Sequence, residues 1–294
     1  MRSPTALALA LSACGRLGFG TEQASSADGA EVDGALGLWS APQPLSELNS
    51  SANGDDDPTL TGDMLEIFFD SSRPPASGGD IFTARRSSVS APFGAVTIVA
   101  ELASARDDTT PDVSSDGLTM YFSSDRATSG NRDIYRTTRP DRSSSWTAPV
   151  PVTELNTPTD DGGVIETADG LQIYFSSERV GANGSIYVAS RTARGQPWGV
   201  PAPVQGLSDP LRIEDQHWIN ADATIAYFTA REGAAASEVM MASRSTPGDP
   251  FGPAVSVTID TAAQESDPWV SPDQRTLVFA SDRSGSFDLF ISTR

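Results

Sequence analysis

Apolar positions in this chain come in short bursts rather than at helical spacing, and the bursts return at a fixed interval. The pair Phe68-Phe69 recurs as Tyr121-Phe122, Tyr174-Phe175, Tyr227-Phe228 and Val278-Phe279, at intervals of 53, 53, 53 and 51 residues. Six positions before the second member of each pair stands an Asp: Asp63, Asp116, Asp169, Asp222 and Asp273. Shortly after each pair comes an Arg, at Arg73, Arg126, Arg179, Arg231 and Arg283. A shorter alternating set recurs as Asp80-Ile81-Phe82, Asp133-Ile134-Tyr135, Ser185-Ile186-Tyr187, Glu238-Val239-Met240 and Asp288-Leu289-Phe290. Short aromatic and β-branched runs bounded by Gly, Asp and Ser predict strands, and a period of this length predicts a repeat architecture.

Each unit reads as four short strands. The first runs around Asp112-Val113-Ser114, and the turn Ser115-Asp116-Gly117 leads into the second, Leu118 to Ser124. Asp followed by Gly supplies the positive φ of a tight hairpin. The third carries Ile134-Tyr135, and the fourth opens with an aromatic at Phe93, Trp146, Trp198 or Phe251. Prolines such as Pro149, Pro151, Pro201 and Pro203 interrupt these fourth strands, which predicts an outer edge, because Pro cannot donate to a ladder. The fifth unit stops at Arg294 after its third strand, while Trp39-Ser40-Ala41-Pro42-Gln43-Pro44-Leu45 is a fourth strand with no preceding three. The expected fold is therefore all-β, a five-bladed β-propeller of four-stranded blades, its ring closed by the N-terminal strand joining the C-terminal blade. An open solenoid would not relate those two fragments.

Charge and composition narrow the chemistry. The 20 cationic residues are all Arg, and 39 acidic residues leave a formal charge of −19. Such a field repels nucleic acid and anionic headgroups and leaves cations, basic peptides or uncharged ligands; the expected partner is a protein, peptide or glycan. The absence of Lys removes Schiff-base chemistry and Lys-terminated phosphate loops. One His and one Cys are too few for a zinc site within the chain and exclude an internal disulfide. No cofactor is expected, and the protein is expected to be a monomer.

The first residues carry a separate signal. Met1-Arg2 and the apolar run Ala6 to Leu11 have the form of a short export signal over residues 1–13, too brief to span a bilayer. Leu11-Ser12-Ala13-Cys14-Gly15 resembles the bacterial lipobox, in which the Cys becomes the lipidated first residue; this implies lipidation at Cys14. Residues 15–38, rich in Gly, Ala, Ser and Asp, then read as a tether, so that residues 14–38 carry the anchor and residues 39–294 the propeller. Gly15, rather than Asp, resembles the sorting pattern of outer-membrane lipoproteins facing the periplasm or cell surface.

The motif of an acid, two residues, Pro, a Ser or Thr, Asp-Gly, an aromatic strand and Ser-Asp-Arg appears most fully as Asp108 to Arg126 and Glu265 to Arg283. It resembles the TolB-type propeller repeat, a relative of WD repeats, and covers essentially residues 55–294. The resemblance implies a propeller, a bacterial envelope location and protein or peptide partners. TolB itself has six blades and a separate α/β domain, whereas five units are present here.

Three positions before the Pro column each unit has an acid: Asp55, Asp108, Asp161, Glu214 and Glu265. On the first strand of each blade these are expected near one mouth of the channel. There they form either a ring that holds a cation or a basic peptide end, or partners for the repeat arginines. His217 and Trp218 replace the repeat pattern in unit four and are further binding candidates. The functional expectation is a non-catalytic binding or scaffolding lipoprotein. The alternative is a carboxylate-dependent, glycosidase-like hydrolase at the channel, which needs two acids in unequal environments. No catalytic residue is assigned and no Gly-x-Ser-x-Gly elbow is present.

Overall fold

The computed structural model describes residues 37–76, 78–128, 130–180, 184–207, 212–232, 235–259 and 261–294, with backbone only at 212–216 and 232. Cys14 and the rest of the leader and tether up to residue 36 lie outside the described residues. The first strand, β1 (Gln43–Pro44), precedes four complete sheets. Blade 1 is β2 (Asp55–Leu60), β3 (Glu66–Ser71), β4 (Asp80–Arg85) and β5 (Thr97–Ile98); blade 2 is β6 (Asp108–Val113), β7 (Thr119–Thr128), β8 (Asn131–Thr138) and β9 (Val150–Pro151). Blade 3 is β10 (Asp161–Glu166), β11 (Gln172–Ser177), β12 (Ser185–Ser190) and β13 (Ala202–Pro203); blade 4 is β14 (Arg212–Ile219), β15 (Ile225–Glu232), β16 (Glu238–Ser243) and β17 (Val255–Ser256). Blade 5 has β18 (Glu265–Val270), β19 (Thr276–Ser281) and β20 (Asp288–Thr293), and its outermost position is taken by β1, antiparallel to β20 with Gln43 opposite Ile291. The fold is a five-bladed β-propeller.

The recurrent aromatic pair explains how the blades adhere. Its two members lie on opposite faces of the second strand, so each packs on a different neighbour. Phe68 packs with Val113, Met120 and Phe122 of blade 2 and meets Trp146 edge-on at 5.9 Å, while Tyr121 packs with Ile173 and Phe175 of blade 3. Tyr227 likewise sits 6.5 Å from Trp39, across the junction between blades 4 and 5. Because both faces are covered, β3 is buried along its whole length, its apolar centre Ile67-Phe68-Phe69 flanked by the buried polar residues Glu66, Asp70 and Ser71. Each of these side chains contributes about 1.5–3 kcal/mol of burial.

Outer strands are shorter than the sequence pattern predicts. Each has only two paired residues, and the aromatics Trp39, Phe93, Trp146, Trp198 and Phe251 precede those pairs, buried at 4–7% exposure. The prolines, lacking N–H donors, limit the ladder, and the aromatic fastens the segment instead. Arg86, Arg139, Arg191, Arg244 and Arg294 lie 4.0–4.4 Å over these five rings. Each also donates through Nε to a carbonyl of its blade's first hairpin, those of Met64, Gly117, Gly170, Ala223 and Gln274. A second arginine column thus ties the outer segment of every blade to its inner turn.

The inner hairpins use the recurrent Asp as a local cap. Thr167 Oγ1 and the Leu171 N–H donate to Asp169, and Ser271 Oγ and the Arg275 N–H donate to Asp273. Gly117 and Gly170 supply the expected left-handed residue, at φ 75° and 67°; where no Gly is available, Met64, Ala223 and Gln274 adopt φ of 58°, 56° and 57°. Each inner strand also carries a bulge two residues after its acid, with Asp57, Thr110, Gly163 and Asp267 left-handed. The extra residue turns the remainder of the strand toward the axis.

Candidate functional site

Asp55, Asp108, Asp161 and Glu265 are buried to within 1% of completely. Each pairs with the Arg of its own repeat: Asp55 with Arg73, Asp108 with Arg126 at 2.5 Å, Asp161 with Arg179 at 3.0 Å and Glu265 with Arg283 at 2.8 Å. The rest of the coordination repeats too. Asp108 accepts from Ser124 Oγ at 2.6 Å and from the Ser104 N–H at 2.7 Å, and Asp161 accepts from the Thr157 N–H at 2.6 Å. The arginines reach back to the carbonyls of Leu48, Leu102, Leu155 and Ile259. A guanidinium with several fixed partners offsets the cost of burying a carboxylate. The side chain of Glu214, the fifth acid, lies outside the described residues.

The axial channel is lined by residues two to four places further along each inner strand. Asp57, Thr59, Thr110, Asp112, Gly163, Ile165, Asp267 and Trp269 line it together with His217 and Trp218. Its cavity of about 40 Å3 has room for roughly three waters. Burial pushes the His217 imidazole down to about 4, so the ring is neutral near pH 7. In blade 1 one carboxylate oxygen from each of Asp56, Asp57 and Asp70 lies within 4.8 Å of the others. Burial, reinforced by the Asp56 charge, holds the Asp70 carboxyl well above its usual range, and the Thr110 N–H donates to it at 3.2 Å.

At the end where the inner strands run into their hairpins, the channel widens to a funnel of about 460 Å3. Trp218, Trp269, Ile165, Val113 and Leu60 supply an apolar wall, and Ser114, Ser115, Thr167, Ala168, Ala221 and Arg194 form the rim. Three acids line it: Asp116 is exposed at its turn, and Asp112 and Glu166 stand deeper. Burial, then the Glu166 charge, holds Asp112 well above the carboxylate range. Burial also raises Glu166, against the lowering pull of Arg191, with which it is paired. Burial thus biases Asp112, which accepts from Thr59 Oγ1 at 3.5 Å, toward its protonated form, whereas Glu166 is held by the Arg191 cation. This unequal pair is not part of the five-fold acid column, and repeat spacing alone does not single it out. Its sequence signal is that each acid breaks its column: Asp112 stands where the other units have Thr59, Ile165, Trp218 and Trp269, and Glu166 where they have Leu60, Val113, Ile219 and Val270.

The sequence matches no protein-family model and no curated protein. Solved structures of similar fold include TolB from Acinetobacter baumannii, at 18% identity and TM-score 0.55, covering 83% of this chain. This chain spans 55% of that TolB. A GH62 hydrolase in complex with xylotriose is 14% identical with TM-score 0.63, covering 87% of this chain and 97% of its own. The α-L-arabinofuranosidase PaAbf62A from Podospora anserina, in complex with cellotriose, is 12% identical with TM-score 0.60, covering 88% and 96%. At these identities the likeness is one of fold.

Proposed function

We propose that this TolB-like five-bladed propeller is a non-catalytic binding or scaffolding module of the bacterial envelope, anchored through lipidated Cys14, which takes a protein, peptide or glycan segment into its funnel. The observation that carries this is the division of labour among the acids. The described repeat carboxylates are consumed by their arginines, while the funnel presents two tryptophans, an apolar wall and the Asp112 carboxyl, which burial shifts upward. Such a mouth suits uptake of a partly apolar segment with a few oriented polar contacts.

Ala221, exposed on the funnel rim, allows a blocking test without loss of core. The full chain, immobilised, is exposed to envelope extract and to a glycan array, beside Ala221→Trp. Ligands retained by the wild type and lost by the blocked variant support the reading; identical profiles count against it. For the anchor, labelled fatty acid is expected to enter the protein in a bacterial host and to vanish with Cys14→Ser, and unchanged labelling would remove the lipid assignment.

Asp112 and Glu166 favour one second reading, hydrolysis of a glycoside, since unequal paired carboxyls are what that chemistry requires. The xylotriose and cellotriose held by proteins of similar fold make arabinosides and xylosides the first substrates to try. Turnover of a chromogenic glycoside that Asp112→Asn abolishes in folded protein would replace the binding reading.

A further inference from the structure

Asp55, Asp108, Asp161, Glu265, Glu66 and Glu166 each hold an arginine. Asp112 does not. Its polar contacts are the Thr59 hydroxyl, at 3.5 Å, and the Glu166 N–H, and among the described residues no arginine pairs with it. Uncharged donors leave a carboxylate withdrawn from water without a countercharge, which a ligand entering the funnel can supply.

Asp112 stands at the neck of the funnel, since it borders both the funnel and the narrower channel, as do Ile165, Trp218 and Trp269. With Thr59 these residues occupy the same position in the five inner strands. Consecutive blades are neighbours around the ring, so blade 2 lies across the axis from the junction of blades 4 and 5. One carboxyl group and two indoles therefore stand on opposite sides of the neck, and Leu60, Val113, Ile219 and Val270 add an aliphatic wall.

This arrangement selects an organic cation. A metal ion takes clustered oxygens, and those five inward positions offer one carboxylate and one hydroxyl. A neutral sugar brings no charge to Asp112, and an anion meets a chain of charge −19. Indoles attract cations, and an aliphatic wall covers the methylene stem of a Lys or Arg whose head reaches an acid. At about 460 Å3 the funnel has the size of a pocket for a drug-sized ligand, so it admits apolar neighbours of that side chain as well.

We infer that the funnel takes an apolar peptide segment carrying one basic residue, whose Lys or Arg side chain passes Trp218 and Trp269 to reach Asp112. This rests on the funnel being a binding site and names what it selects. The arriving cation displaces the proton that burial favours on Asp112, so affinity rises with pH. The other ionisable groups around the funnel and channel are Asp116, Glu166, Arg194, Asp57, His217 and Asp267, and all of them remain in Asp112→Asn.

Calorimetric titration of the full chain with an end-blocked apolar pentapeptide tests it, the central residue being Lys, Arg, norleucine or Glu, with xylotriose as an uncharged glycan. The Lys and Arg peptides are expected to bind about tenfold or more tightly than the norleucine peptide, and the Glu peptide most weakly. Asp112→Asn is expected to cut that preference to within about twofold and to abolish its rise between about pH 5 and pH 8, while norleucine-peptide binding is kept. The inference is overturned if no pentapeptide binds, if the norleucine peptide, the Glu peptide or xylotriose binds as tightly as the Lys peptide, or if Asp112→Asn retains the preference. Ala221→Trp separates the two levels. Ligands from the extract or array that are lost on blocking, without any preference for the Lys peptide, defeat this inference and leave the funnel reading standing; identical profiles for wild type and blocked variant defeat both.

Discussion

The guanidinium of Arg294 lies 4.2 Å over the indole of Trp39 and donates to Gln274 O at 2.8 Å and Tyr227 Oη at 3.0 Å, so one side chain joins the segment before β1, the blade 5 hairpin and blade 4. Loss of the cation–π contact and two hydrogen bonds with Arg294→Gln is expected to cost about 1–2 kcal/mol in denaturant unfolding. Trp39→Ala, which removes a core aromatic, should cost about 3–5 kcal/mol. Strictly additive effects in the double variant would show that the two residues do not act together.

The two classes of ion pair should behave very differently. Arg126→Gln strands the fully buried Asp108 carboxylate and is expected to cost about 3–5 kcal/mol. Arg142→Gln breaks a solvent-exposed pair with Asp63 and should cost no more than about 1 kcal/mol. Comparable losses in the two variants would contradict the assignment of the repeat acids to structure.

Asp112 predicts a pH dependence. Its folded carboxyl titrates well above the unfolded value of about 3.9, so the folded state holds the extra proton between the two, and stability falls as pH rises through that window. Asp112→Asn removes the titration. Its thermal midpoint is expected to gain on the wild type more at about pH 7 than at about pH 4. An equal change at both pH values would mean that Asp112 is not held protonated.

Backbone strain at the hairpins is also testable. Gln274, at φ 57°, occupies a conformation that glycine adopts without steric cost, so Gln274→Gly should stabilise by about 0.5–1 kcal/mol. Gly117→Ala should destabilise by about 1–2 kcal/mol, because its Cβ would meet Arg142 Nε at 2.8 Å in a left-handed residue. A neutral result for both would show that the hairpins relax.

Period, blade number and strand order are written in the sequence because each blade solves the same burial problem. Tyr121-Phe122 and its counterparts must contact one neighbour with each face, and Asp116 and its counterparts must cap the same turn, so the same residue types return at the same spacing. The second arginine column recurs as well, but its intervals drift between 50 and 53 residues and its stacking partners lie beyond the hairpin, so its role emerges only in three dimensions. Tertiary structure alone decided which acids remain for function. A column of carboxylates looks the same in one dimension whether it faces a channel or an arginine, and the bulge after Asp108 determines that Asp112, not Asp108, reaches the axis. Glu166 and Arg136 belong to different blades, and only the packing of one sheet on the next brings them with Tyr121 to a single cleft.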